Sequence, residues 1–437
     1  MVGMLAAMPP APSNRPDPDE TPVTSATPVR DRGDACPGAL RLHSADDGAL
    51  ARVRVPAGVL SAAQAYALAD AAERLGDGAL DVTSRGNLQL RGLEPGCAGE
   101  LARLLDTAGL LPAPRHERVR NVVASPLSGL DGRGHLDVQP LVRELDALLC
   151  ASERAPDDGR GDMAEFAADV MLLAQPGGAA VRVSVGGAAV RVRAEDGPRA
   201  MLLAAEAFLD AASATGTRAW RVRELPRSGT ELADVPAWRE HFSGPVGSVD
   251  AAGPGGPVGS GVPEGAAVSP RRLRPPAPAP QSPAGLDMPG PRPGPVAGGG
   301  VSVGVPFGRL TVAAWRALAR VAQAHGTGEL RVTPWRGVVV PGAGPEQLDV
   351  LAGTGLVTDP ASPWLGVGAC TGRPGCAKSL ADVRADATAH LAAGAGGLPV
   401  HWSGCERRCG HPRGAWVDVV ATGDGRYEVS APGAPPR

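Results

Sequence analysis

The chain has 437 residues and a formal net charge of -3, with 43% hydrophobic but only 3% aromatic residues. Such a length suggests several domains with cores of Ala, Val and Leu, and the charge offers no polybasic pull on nucleic acid or membrane. No run of about 18 apolar residues could cross a bilayer, and the opening MVGMLAAMPP lacks the regions of a secretion signal, so a cytoplasmic location is expected, with the seven cysteines as thiols or metal ligands rather than disulfides.

In chain order, residues 1–33 are rich in Pro, Asp and Thr and read as a disordered tail. Residues 34–115 then show a β-α-β pattern. Val55-Pro56 leads into a glycine turn, Ser61 stands where a helix N-cap belongs, an Ala/Leu helix runs to Gly76, and β-branched strand residues follow. Residues 116–242 form a mixed segment: RVRNVVASPLSG, a helical run over 141–149, an alternating hairpin over 180–192 turning at Gly186-Gly187, and a helix over 198–215. Gly and Pro fill nearly half of residues 243–300, which read as a flexible linker.

Residues 301–355 repeat the first pattern. Laid over each other at an offset of 250, residues 55–83 and 305–333 share 14 of 29 positions without a gap. Thr311 matches Ser61 as N-cap, Gly326 matches Gly76, and each copy continues into a strand-like run, Leu88–Leu90 or Val338–Val340. The match through both flanking strands predicts a duplicated, pseudo-two-fold architecture with a site between its halves. Residues 356–437 form a second mixed segment, with a helix expected over 378–393 and a closing hairpin about Gly423-Asp424-Gly425.

That last segment carries the most specific chemistry. Cys370-x5-Cys376 and Gly404-Cys405-x3-Cys409 supply four thiols among glycines. Four thiolates suit an iron–sulfur cluster or a structural zinc, though the five-residue gap fits zinc knuckles poorly. Cys36, Cys97 and Cys150 lack paired spacing and read as ordinary thiols. His401 and His411 flank the second pair and are the catalytic candidates; His116 is a weaker one. Trp335 and Trp402 are candidate stacking surfaces, with core packing as the alternative. No G-x-G-x-x-G follows a strand, so electrons are expected from a partner rather than from bound nicotinamide. Among 43 basic residues only Lys378 is lysine; all others are arginines, whose planar forks pair bidentately with carboxylates.

The cysteine spacing, DVTSRGNLQLRG (81–92), RNVVASPLSG (120–129) and the duplication together resemble the siroheme-dependent sulfite and nitrite reductase superfamily. ACPGALRLHSADDGALARVRVPAG, LRVTPWRGVVVPG and SGCERRCGHPRG are similar to its precorrin-3B synthase branch. The resemblance spans about 34–242 and 301–430. It implies an α+β fold of two ferredoxin-like half-domains, each followed by an α/β segment. It further implies a 4Fe-4S cluster on Cys370, Cys376, Cys405 and Cys409, and oxygen-dependent hydroxylation of a precorrin with electrons from an external ferredoxin or reductase. Substrate carboxylates would meet Arg85, Arg91, Arg120 and Arg336, and a mononuclear non-haem iron is a further candidate cofactor. The alternatives are a siroheme-dependent nitrite or sulfite reductase and a non-catalytic iron–sulfur redox sensor. The reductases usually supply two lysines from the first half, and this chain has no lysine before Lys378.

Overall fold

In the computed structural model of the chain, residues 2–4, 38–111, 113, 117, 120–151, 169–185, 188–214, 222, 290–391, 398–412 and 414–431 are described. Most of the expected linker, the Gly186-Gly187 turn, Cys36, His116 and Arg118 lie outside them. β1 (Val2–Met4) precedes the first repeat, which contains β2 (His43–Ala45), β3 (Gly48–Val53), β4 (Val59–Ser61), α1 (Ala62–Leu75), β5 (Ala79–Val82), β6 (Leu88–Leu93) and α2 (Ala98–Thr107). The segment after it contains β7 (Val122–Val123), α3 (Gln139–Ala151), β8 (Val170–Ala174), β9 (Ala180–Val185), β10 (Ala188–Arg193) and α4 (Gly197–Ala214). The second repeat contains β11 (Gly294–Pro295), β12 (Gly300–Gly304), β13 (Arg309–Thr311), α5 (Val312–His325), β14 (Glu329–Val332), β15 (Gly337–Pro341) and α6 (Gln347–Ala352). The last segment contains β16 (Val367–Ala369), α7 (Val383–Ala389), β17 (Val400–Ser403), β18 (Val417–Gly423) and β19 (Arg426–Ser430). Among the described residues no helix is long and apolar enough to cross a membrane.

The fold is α+β, and its two ferredoxin-like half-domains are interlocked. One sheet runs β13-β5-β6-β3-β2 and the other β11-β12-β15-β14-β4, so each holds one strand of the other repeat. Leu310 pairs with Leu80 and Leu60 with Leu330, the same contact under the 250-residue offset. The turns that launch the exchanged strands are just as symmetric. A side chain on Gly58 would sit 1.9 Å from the Val332 carbonyl, and one on Gly308 2.8 Å from that of Val82, at φ of 73° and 74°. Only glycine allows both that φ and that approach.

Local capping starts the two helices. The Ser61 and Thr311 side chains accept from the N–H groups of Gln64 and Ala314. Tertiary packing then joins the helices across the pseudo-two-fold axis. Trp315, fully buried, donates its indole N–H to the Ala65 carbonyl at 2.8 Å, and Ala65 is its own counterpart in the repeat. Two tryptophans would collide there and two alanines would leave a void, so the duplicated copies have diverged into a large–small pair. Leu60, Leu68 and Leu90 of the first repeat share one core with Leu318, Leu330 and Val340 of the second.

The two following segments differ. The first is an antiparallel sheet, β10-β9-β8-β1-β7, whose core takes in residues of α3 and α4. The second is mixed: β16, β17 and β18 are parallel, and β19 is antiparallel.

Three expectations need correction. The expected disordered tail contains β1, which sits between β7 and β8 with Gly3 opposite both Val123 and Met171. A strand this short persists because both of its edges are paired. The expected linker ends before residue 300, because β11 and β12 form a hairpin in which Gly298, Gly299 and Gly300 all adopt positive φ. The glycines that look like a spacer thus build a turn, and a Cβ on Gly298 would lie 1.7 Å from the Leu130 carbonyl. The helix expected over 378–393 spans only Val383–Ala389: the Asp382 carboxylate caps it by accepting from Ala385 N–H, and 378–381 belong to the cysteine loop.

Candidate metal centre

Parallel pairing of β16 and β17 brings Cys370 and Cys405 to the same sheet edge. Ala369 lies opposite Trp402, and each strand delivers its cysteine just beyond its C-terminal end. The Cys370 amide donates to the Trp402 carbonyl at 3.0 Å, and the Gly404 amide donates to the Cys370 sulfur at 3.2 Å. The loop carrying Cys376 lies on this turn. Leu380 N–H donates to the Gly404 carbonyl at 2.8 Å, and a side chain on Gly404 would meet Ser379 Oγ at 1.8 Å. Cys409 completes the group on a turn through Arg408, which adopts φ 48° and pairs with Asp418.

The structure therefore brings together the four thiols that spacing singles out, close enough to act on one another electrostatically. Burial pushes the Cys370 and Cys409 thiols up, whereas the Gly404 and Gly372 amides pull Cys370 down. Those amides are the donors that a thiolate ligand accepts. Among the described residues no three His, Cys, Asp or Glu side chains converge as the ligands of a single ion must. Four thiolates are a donor set that a cubane, offering one iron to each, or a tetrahedral zinc can use. The same finding leaves the expected mononuclear iron without a ligand set among the described residues. Cys97 and Cys150 lie apart from the four, with thiols raised by burial.

The candidate catalytic histidines have different surroundings. His401 is 0% exposed, and its Nε2 lies 3.2 Å from the Cys409 carbonyl. Burial, then the Arg336 charge, lowers its pKa to about 4. A carbonyl only accepts, so Nε2 carries the proton, and the neutral ring leaves Nδ1 bare, with no hydrogen-bond partner among the described residues. His401 thus braces the cysteine turn. His411 is exposed and stacks on Trp416 at 4.7 Å. Trp402 packs edge-on against Tyr427, and Trp335 packs with Val123, Met171 and Leu173.

Two of the four arginines expected at substrate already hold carboxylates of the protein. Arg120, 4% exposed, grips Asp146 through two bonds of 2.7 and 2.6 Å. Arg91 grips Asp47 through two bonds of 2.7 Å and also donates to the Gly375 carbonyl at 2.9 Å. Arg331 is likewise occupied, by Glu329 and by the Pro126 and Ser128 carbonyls. Arg85 lies half-buried in the turn after β5. Arg336 is held at φ 57°, where its repeat counterpart is Gly86 at φ 67°. Its guanidinium donates to the Gly410 carbonyl at 3.3 Å, and no carboxylate among the described residues pairs with it. Burial and the neighbouring Arg384 lower its pKa. A left-handed non-glycine residue costs about 1–3 kcal/mol and tends to mark a working position.

Sequence reasoning missed Asp46, Asp47, Asp81 and Arg384. Arg384 donates to the Cys370 carbonyl at 3.2 Å and reaches Asp81, 3.6 Å away. Asp81 also receives Arg309 at 3.1 Å. The pairing of Asp81 with Arg384 and Arg309 joins residues far apart in the chain, beyond the reach of any local pattern.

Comparison with known proteins adds a consistent frame. The nitrite/sulfite reductase ferredoxin-like half domain matches residues 43–108 and 297–353. The ferredoxin–nitrite reductase of Synechococcus elongatus is 28% identical over 411 residues, covering 85% of this chain and 76% of that protein. A precorrin-3B synthase of Sinorhizobium sp is 26% identical over 410 residues, covering 90% of this chain and 82% of that protein. The NirA protein structure of Mycobacterium tuberculosis aligns with a TM-score of 0.56 at 19% identity, covering 87% of this chain and 73% of that one, a likeness of fold.

Proposed function

We propose that this chain, which carries the nitrite/sulfite reductase ferredoxin-like half domain twice, is an oxidoreductase that converts precorrin-3A to precorrin-3B in aerobic cobalamin biosynthesis. Its relatives include both ferredoxin–nitrite reductase and precorrin-3B synthase. The observation that favours the second is the cation set. With no lysine before Lys378, the first half offers only arginines. Forked guanidinium groups suit a polycarboxylate macrocycle better than they suit a small anion held by compact ammonium groups.

In this reading Cys370, Cys376, Cys405 and Cys409 hold a 4Fe-4S cluster, which when bound supplies one-electron transfer. Dioxygen is the oxidant: one oxygen atom enters a meso carbon as hydroxyl, and a ring acetate closes to a lactone. Two electrons from an external ferredoxin or reductase, with two protons from solvent, take the other oxygen atom to water. Arg336 and Arg85 grip substrate carboxylates and set which carbon is presented. His401, held neutral, keeps the Cys409 turn in place rather than delivering a proton.

The test is turnover of precorrin-3A in air with a reductase, beside nitrite and sulfite under reduced viologen. The purified protein should show the broad absorbance of a cluster, near-equal iron and sulfide, and tetrapyrrole turnover. Strong Soret and Q bands with nitrite or sulfite reduction would replace the proposal with the siroheme alternative. A cluster without any turnover would favour the redox sensor.

A further inference from the structure

We infer that the turn between β2 and β3 of the first half-domain is a clamp that positions the Cys376 ligand loop, with Asp46, Asp47 and Arg91 as its working parts. The inference rests on the cluster reading above. Both backbone groups flanking Cys376 are held from the first repeat. Asp46 Oδ2 accepts from the Ala377 amide at 2.6 Å, across 331 residues of chain. Arg91 donates to the Gly375 carbonyl at 2.9 Å, across 284 residues. Asp47 orients that guanidinium with two bonds of 2.7 Å, and the pair is largely shielded from solvent, Arg91 at 7% and Asp47 at 19% exposure. The loop also packs directly on the turn, since a Cβ on Gly375 would lie 2.8 Å from Asp47 Oδ2.

These charges are not part of the duplicated frame. The corresponding hairpin turn of the second repeat, residues 296–300, reads VAGGG and carries no acid, and Pro341 stands where the first repeat has Arg91. Among the described residues it is the first copy's Arg91 and Asp46 that hold Gly375 and Ala377, and the second copy lacks their counterparts. The backbone on either side of a ligand sets where its sulfur points, so fixing positions 375 and 377 narrows the positions open to the Cys376 thiolate. The carboxylate of Asp46 also lies beside the ligand loop. An anion there disfavours the more negative reduced cluster, so its removal raises the midpoint potential.

The test uses the full-length protein purified without air. Loss of cluster absorbance to an iron chelator is timed, the reduced cluster is titrated by electron paramagnetic resonance, and hydrogen exchange of residues 371–381 is followed in metal-free protein. Asp46 is exposed, so Asp46→Ala should lower the melting temperature only slightly. It should bleach about tenfold faster, the equivalent of about 1.4 kcal/mol, and raise the midpoint potential. It should also speed exchange at the Ala377 amide. Asp46→Asn keeps an acceptor and should restore part of the lifetime. Glu100→Ala, which removes the exposed Arg74 pair in the same half-domain, should change none of these. Wild-type protein lacking iron and sulfide would remove the cluster reading and this inference with it. A cluster-bearing wild type beside an Asp46→Ala variant that bleaches and exchanges no faster would remove the inference alone.

Discussion

Replacing Arg120 with Ala should loosen the first α/β segment rather than merely weaken a ligand contact. The guanidinium is 4% exposed and makes two short bonds to Asp146, a residue of α3 that is 22% exposed. Breaking a buried pair from one side costs about 3–5 kcal/mol, because the remaining charge is left uncompensated. Asp146 can recover some water, so Arg120→Ala belongs at the lower end, about 3 kcal/mol. Asp146→Ala strands the more deeply buried guanidinium and belongs nearer 5 kcal/mol. The double variant leaves neither charge stranded, so the three should be non-additive by about 2–3 kcal/mol. Urea unfolding followed by circular dichroism gives each value, with the slope unchanged among the variants. Additivity within about 0.5 kcal/mol would refute the pairing argument. So would an Arg120→Ala variant of wild-type stability that no longer binds the tetrapyrrole, which would return Arg120 to the substrate.

Gly58→Ala should cost at least 3 kcal/mol, whereas Gly78→Ala, at φ 75° with nothing within 4 Å, should cost only about 1–2 kcal/mol; thermal melts of the pair separate the Val332 clash from backbone strain. Arg336→Gly adopts the residue of its repeat counterpart, so stability should hold within about 1 kcal/mol while tetrapyrrole affinity, read by titration, falls about 10- to 150-fold. His401 stays neutral in the fold down to about pH 4 but protonates near 6.5 when unfolded. The unfolded chain therefore binds the extra proton between those values, and stability of the metal-free protein is full above pH 6.5 and falls toward pH 4. Urea midpoints across that window should flatten in His401→Gln. Replacing any of Cys370, Cys376, Cys405 or Cys409 should lower iron and sulfide content together, whereas Cys97→Ala and Cys150→Ala should leave both unchanged.

What could be read along the chain was whatever local chemistry decides. Ser61 and Thr311 announce helix starts because a cap acts over three residues, and the two closing strands of the C-terminal hairpin alternate about a short turn. The duplication and the cysteine spacing were legible for the same reason: both are patterns of residue type at short or constant separation. The Gly298–Gly300 turn misled because glycine composition looks the same in a spacer and in a turn that needs positive φ. The Ser379 loop misled because its residues suit a helix until Asp382 caps the next one.

The amino-acid sequence by itself therefore determined the two half-domain copies, their helices and the four thiols that could share a cofactor. Only the tertiary structure decided that the copies exchange β4 and β13, that Trp315 closes the axis over Ala65, and which arginines are already taken. Arg91 and Arg120 look like substrate clamps in their motifs, yet each finds its carboxylate elsewhere in the chain, at Asp47 and Asp146. The physical reason is that an ion pair is chosen by distance in space and by shared burial, and neither is encoded in the residues beside it.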